Sequence, residues 1–290
     1  MAEASKRYAV VTGANKGIGF EICRQLASNG IFVVLTARDE KRGVEAVEKL
    51  KDSGDLSDYV IFHQLDVVDD DSISSFADFI RKRFGKLDIL VNNAAVLGTQ
   101  IASFGKEGSE INYSELSIQS CELAEECLKT NYYGAKKLVE ALLPLLQLSD
   151  SPRIVNVSSG LGKLENVRNE WAKGVLSNAE ELTEEKVDEV LDQFLKDCKE
   201  GSLEIKRWPA QPSVYIMSKA ALNAYTRMLA NKYTSFSVNG VYPGYTKTDF
   251  NYNRGYIPVE VGAEVAVRVA LLPNGGPSGC FFSQRGESSF

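Results

Sequence analysis

The chain has one histidine, His63, and five cysteines, Cys23, Cys121, Cys127, Cys198 and Cys280, with no C-x-x-C among them. A lone imidazole without ligands at metal spacing predicts no metal centre, and His63, on a strand, reads as structural. An odd cysteine count argues against a disulfide frame and for reduced thiols, which suits a cytoplasmic protein. There is no run of ~18 apolar residues, and the opening Met1-Ala2-Glu3-Ala4-Ser5-Lys6-Arg7 holds no apolar leader core. Neither secretion nor a membrane span is therefore expected. Acidic residues outnumber basic ones, 39 to 33, which gives a formal net charge of −6, and there is no basic stripe. An acidic surface repels phosphate backbones and anionic lipid, which argues against a nucleic-acid or membrane binder.

What is present is a core-forming composition: 44% hydrophobic and 25% charged over 290 residues, enough for one α/β domain spanning 1–290. Apolar strands alternate with amphipathic helices from the start, which predicts a doubly wound parallel sheet of the Rossmann type. The runs Tyr8–Val11, Ile31–Thr36, Tyr59–Val67 and Leu87–Val91 are the first four strands. Residues 97–118 dissolve into Gly, Ser and polar residues, an excursion at the carboxyl end of the fourth strand, where ligands bind in such sheets. A helix is expected from about Glu122 through Asn131 to Leu142, ended near Pro144, followed by the strand Arg153–Ser159. Residues 160–213 read as a helical insertion, with Asn178 and Glu181 as a capping pair and Val187, Val190, Leu191, Phe194, Leu195 and Cys198 on one stripe. The helix Val214–Tyr233, the strand Phe236–Tyr242 and a helix near Glu260–Leu272 complete the reading.

The stretch Thr12-Gly13-Ala14-Asn15-Lys16-Gly17-Ile18-Gly19 joins the first strand to a helix. Glycines there let backbone N–H groups at the helix start reach a dinucleotide pyrophosphate. At the end of the second strand two readings compete. Asp39 lies 20 positions after Gly19, where an acid would hold the ribose of NAD, whereas Arg38 suits the 2′-phosphate of NADP. Lys16 adds a second cation and Ala37 leaves the strand end without a carboxylate, which favours NADPH. Tyr215 and Lys219, four apart on a predicted helix, share one face. Alone that pair is an ordinary surface pattern.

Together with Asn92-Asn93-Ala94, Asn131, Ser159 and Pro243-Gly244, in this order, these motifs resemble the short-chain dehydrogenase/reductase family along almost the whole chain. The resemblance implies that Tyr215 is the general acid protonating a carbonyl oxygen while hydride arrives from the nicotinamide. An isolated phenol titrates near ~10, and an ammonium at Lys219 would favour the phenolate while holding the nicotinamide ribose. Ser159, rather than Ser158, would donate to the oxyanion, and Asn131 would hold a helix kink and a water leading to Lys219. For the cofactor the resemblance implies Gly13, Asn15, Lys16, Gly17, Ile18, Gly19, Arg38, Asp66, Val67, Asn93, Tyr215, Lys219, Pro243, Gly244 and Thr248. The family's Asn-Asn-Ala-Gly is departed from at Ala95, which places a Cβ near the cofactor.

Ser159 and Tyr215 are 56 positions apart, against about a dozen in compact members, far more than a connecting loop. That insertion is similar to those of the monomeric carbonyl reductases and of plant reductases such as salutaridine and menthone reductase. It lies there on the face that other members use to oligomerise, which implies a monomer. The reading is an NADPH-dependent reductase of a ketone or aldehyde on a bulky apolar small molecule, a terpenoid or alkaloid. Its pocket is expected between the 97–118 excursion, the insertion, and a 245–258 loop carrying Tyr252 and Tyr256. Reduction of a conjugated C=C bond is one alternative; a non-catalytic NADPH-binding protein is another.

Overall fold

A computed structural model describes residues 6–52, 56–101, 117–118 and 120–290. The first half alternates strand and helix without exception: β1 Tyr8–Val11, α1 Gly17–Ser28, β2 Phe32–Ala37, α2 Glu40–Asp52, β3 Val60–Gln64, α3 Asp70–Phe84 and β4 Ile89–Asn92. Local chemistry accounts for these bounds. All six residues of β2 are buried, as a strand covered on both faces requires. Helix α3 is capped by Asp69, whose carboxylate accepts from Ser72 N, carries Asp70 and Asp71 in its first turn, and ends on left-handed Gly85.

After the short pair β5 Gln100–Ile101 and β6 Ser117–Ile118 come α4 Cys121–Leu128, a six-residue π-helical segment Lys129–Gly134 and α5 Ala135–Leu146. The helix thus continues past Pro144, which lies inside its last turn. The carbonyl that the proline leaves without a donor is that of Glu140, on an exposed face where water can reach it. Then follow β7 Arg153–Val157, α6 Glu170–Ser177, α7 Glu184–Lys199, α8 Ser213–Lys232, β8 Ser237–Val241, α9 Val259–Ala270, β9 Phe281–Ser283 and β10 Gly286–Ser288. The last two strands fall outside the sequence reading, because three residues are too few to show a period.

The sheet order is β3-β2-β1-β4-β7-β8-β9-β10, parallel except for the antiparallel β10 edge. Ile22, Leu26, Val33, Leu35, Leu50 and Val269 form the core on one face, and Val10, Phe76, Ile80, Leu138 and Tyr225 belong to the core on the other. The doubly wound expectation therefore holds. The chain runs outward from β1 to β3, then restarts at β4 on the other side, so a crevice opens between the carboxyl ends of β1 and β4. Among the described residues, no helix is long and apolar enough to cross a membrane.

The insertion carries two helices rather than one. Thr183 caps α7 by accepting from Lys186 N, with Glu184 and Glu185 in the first turn. Asn178 and Glu181 do bond to each other, but Asn178 is the C-cap of α6 and the pair closes the turn between α6 and α7 instead of starting α7. The predicted stripe packs inward: Val187, Val190, Leu191 and Phe194 are buried. The return of the chain is tied by Asp197, which accepts from Gln193 Nε2 at 2.7 Å, Lys206 Nζ at 2.6 Å and Trp208 Nε1 at 2.8 Å. Phe194 meets Trp208 edge-on at 5.3 Å. Phe194→Ala should lower unfolding free energy by ~3–5 kcal/mol in urea titration, through lost burial and a cavity. Cofactor affinity should stay within twofold, because α7 does not line the crevice; a loss below ~1 kcal/mol would contradict this packing.

Candidate active site

The crevice is a cleft of about 1480 Å³. Its floor is the turn between β1 and α1. Gly13 and Gly17 adopt φ of +60° and +59°, a conformation costly for residues with a Cβ. A Cβ on Gly13 would stand 2.8 Å from Ala94 Cα, and one on Gly19 would collide with Asn93 Nδ2. The backbone pressed on Gly13 is thus that of Ala94, while Ala95 lies further along the cleft wall. The turn is held from below. Thr12 Oγ1 accepts from the N–H groups of Asn93 and Ala94, each at 2.9 Å. Asn93 Nδ2 donates to Thr12 O at 2.8 Å and Gly13 O at 3.2 Å. Helix α1 starts on Lys16 with no side-chain cap and no acid in its first turn, so its leading N–H groups face the cleft as an anion cradle. These features fit a dinucleotide pyrophosphate.

Arg38, Asp66 and Val67 line the same cleft beyond the turn. Asp39, the rival ribose ligand, is used locally: its carboxylate accepts from Arg42 N at 2.9 Å as the cap of α2. Arg42, which the sequence reading passed over, also lines the cleft from the first turn of α2; its nearness to Arg38 in the chain was the signal for it. Lys16 does not turn toward Arg38. It pairs with Asp249 across the cleft at 3.1 Å, both side chains more than half exposed. Lys16 in turn holds the Asp249 carboxyl below its ordinary range.

The reactive end lies where α8 crosses the carboxyl end of β7. Lys219 is 2% exposed and donates from Nζ to Val157 O at 2.8 Å. Burial lowers its ammonium from 10.5 to about 8. Nζ lies 5.8 Å from the centroid of the Tyr215 ring, one turn earlier on α8. The two serines after β7 separate by direction. Both line the cleft, but Ser158 is buried and its hydroxyl donates inward to Lys219 O at 3.4 Å, whereas Ser159 is only half-buried and accepts from Leu161 N at 3.1 Å. Pro243, Gly244 and Thr248 close the wall after β8.

Every sequence-predicted site residue lines this cleft except Asn131, which is buried behind it. Asn131 sits in the π-helical segment; its Oδ1 accepts from Val96 N at 2.8 Å, and its Nδ2 donates to Val96 O at 2.9 Å and Ser218 Oγ at 3.0 Å. It pins the loop after β4 to the π-helical segment. His63 packs on Phe79 at 4.3 Å with Nδ1 2.6 Å from Gln64 O. Among the described residues no cluster of His, Cys, Asp and Glu is arranged to hold a metal ion.

The opposite wall differs in part from expectation. Phe250, Tyr252 and Tyr256 line it, with Phe250 5.8 Å from the Tyr215 ring. Of the insertion only its ends contribute, Gly160, Leu161, Gln211 and Pro212; α6 and α7 pack elsewhere. Leu97 and Thr99 contribute from the excursion, while residues 102–116, including Phe104 to Ser109, lie outside the described residues. Helix α4 adds Glu122, Glu125 and Glu126, so one wall is acidic rather than aromatic.

Residues 7–170 match the family model for short chain dehydrogenases. The chain is 58% identical over 298 residues to a (+)-neomenthol dehydrogenase of Arabidopsis thaliana, with all of both chains covered (100% of each). The solved salutaridine reductase of Papaver somniferum is 53% identical and superposes with a TM-score of 0.90, over 95% of this chain and 99% of that one. The NADPH carbonyl reductase 3 of Mus musculus is 38% identical over 279 residues, 92% of this chain and 91% of its own.

The burial of Lys219 has a pH signature. Unfolded, the lysine holds its proton up to about 10.5; folded, only to about 8. Between those values the unfolded chain binds more protons, so stability rises with pH across that window. In urea titrations from pH 7 to 11, wild type should gain on the order of 3 kcal/mol relative to Lys219→Met. A difference that stays flat would mean that the ammonium is solvated.

Proposed function

This chain belongs to the short-chain dehydrogenase family, and from that premise we propose an NADPH-dependent reductase that converts the carbonyl of a bulky, largely apolar small molecule to an alcohol. The observation that carries the proposal is the meeting of Tyr215, Lys219 and Ser159 in one cleft with a glycine turn and the cations of Arg38, Arg42 and Lys16. The named relatives, a neomenthol dehydrogenase and a salutaridine reductase, support a terpenoid or alkaloid ketone as substrate class.

Bound NADPH supplies a hydride from nicotinamide C4 to the carbonyl carbon. Everything else is done by the chain. The N–H groups at the start of α1, with Gly13, Asn15, Gly17, Ile18 and Gly19, hold the pyrophosphate. Arg38, Arg42 and Lys16 receive the 2′-phosphate, for which Lys16 exchanges Asp249. Asp66 and Val67 border the adenine. Asn93 acts here mainly through the turn it braces, and Pro243, Gly244 and Thr248 border the nicotinamide. Ser159 donates a hydrogen bond to the carbonyl oxygen as charge develops, and Tyr215 passes its phenolic proton to that oxygen. Lys219, an ammonium at neutral pH, stabilises the phenolate left behind. Asn131 is a positioning residue that keeps the π-helical segment and the loop after β4 in register, with its water-relay role part of the same proposal.

We also propose a monomer, supported by helix α7 covering α4 and α8, and a cytoplasmic location, which the five free thiols suit. Tyr215→Phe should reduce NADPH consumption on a carbonyl panel by about 10²–10⁴-fold. Its NADPH affinity, measured by fluorescence titration, should stay near normal, and NADH should be the poorer donor throughout. Full activity in Tyr215→Phe would remove the phenol from the mechanism, and tight NADPH binding without turnover in wild type would favour a non-catalytic binding protein.

A further inference from the structure

Two of the five cysteines, 77 positions apart, bring their sulfurs to 3.1 Å. Cys121 is the first residue of α4 and Cys198 lies in the last turn of α7. Both are partly exposed and both are thiols. The two helix ends are also held by Lys199, whose Nζ pairs with Glu125 at 2.7 Å. The sulfurs therefore face each other across a packed contact and need about 1 Å of further approach to reach bonding distance.

We propose that Cys121 and Cys198 form a thiol-disulfide modification site, oxidised by a low-molecular-weight disulfide such as glutathione disulfide. The Cys121 thiolate attacks one sulfur of glutathione disulfide, and one glutathione leaves as its thiolate. The Cys198 sulfur then gives up its proton and attacks the Cys121 sulfur of the mixed disulfide, releasing the second glutathione. Two protein thiols are oxidised and one glutathione disulfide is reduced to two glutathiones. Cys121 stands at the first position of α4, where the helix N-terminus favours a thiolate, whereas burial pushes the Cys198 thiol up; Cys198 therefore enters second, as the resolving thiol.

The other three cysteines are placed differently. Cys23 and Cys127 are buried, and burial raises the Cys127 thiol to about 12. Cys280 donates weakly to Ser278 O at 3.9 Å, on the far edge of the sheet. The bond would act on the cleft through α4, whose Glu122, Glu125 and Glu126 line it. It would fasten that wall to the insertion and close a long loop in the unfolded chain, which favours the folded state.

Purified full-length protein equilibrated in glutathione buffers of graded redox potential tests this. Thiol counting in denaturant should fall from five to three, and peptide mapping without reductant should recover a Cys121–Cys198 cross-link. The thermal midpoint should rise by roughly 5 °C on oxidation and return with dithiothreitol. Cys198→Ser should show no reversible rise and should instead hold one glutathione at Cys121. Separate glutathione adducts on wild type, a cross-link between other cysteines, or five remaining thiols at the most oxidising potential would overturn the proposal. The mapping reads the bond itself, so it stands or falls independently of reductase activity.

Discussion

One hydrogen bond organises the reactive end of this protein: the ammonium of Lys219 against the carbonyl of Val157. Taking an ammonium out of water is costly, and its lowered affinity for a proton records that cost. A buried cation persists there because α8 lies across the end of β7, and that strand offers it the backbone carbonyl of Val157. Ser158, donating to Lys219 O, strengthens the same junction. With the helix held at that height, Tyr215 one turn earlier falls beside the ammonium, and Ser159 is left free to face the cleft.

The cofactor half obeys a different constraint, close approach of backbone to backbone. Thr12, Asn93 and Ala94 lock the turn after β1 to the end of β4, the two strands between which the chain order reverses. That lock requires glycine at positions 13 and 19, where a side chain would meet Ala94 or Asn93. The two halves share the cleft because adjacent parallel strands end at the same edge. One sheet topology thus brings the glycine turn and the Tyr215–Lys219 pair to the same cleft.

Features set by short-range rules were legible in the sequence. The glycine turn, the buried run of β2 and the four-residue step from Tyr215 to Lys219 depend on neighbours along the chain, and the structure places them as read. What escaped depends on partners far away. The Lys16–Asp249 pair joins residues 233 positions apart, so no local pattern announced that Lys16 would lean away from Arg38. The capping role of Asp39 was readable in principle, since a carboxylate just before a helix is a common cap; weighing it only as a ribose ligand obscured that. Helix α7 showed its apolar stripe plainly, but a stripe does not say what it packs on, and it covers other helices rather than the pocket.

The central claim is that hydride is delivered to a carbonyl carbon with Tyr215 supplying the proton. Turnover of an unsaturated terpenoid ketone with NADPH deuterated at C4 of the nicotinamide tests it most directly, with the product read by mass spectrometry and NMR. The account predicts one deuterium on the carbinol carbon and an intact double bond. Deuterium on the carbon β to a surviving carbonyl would contradict it.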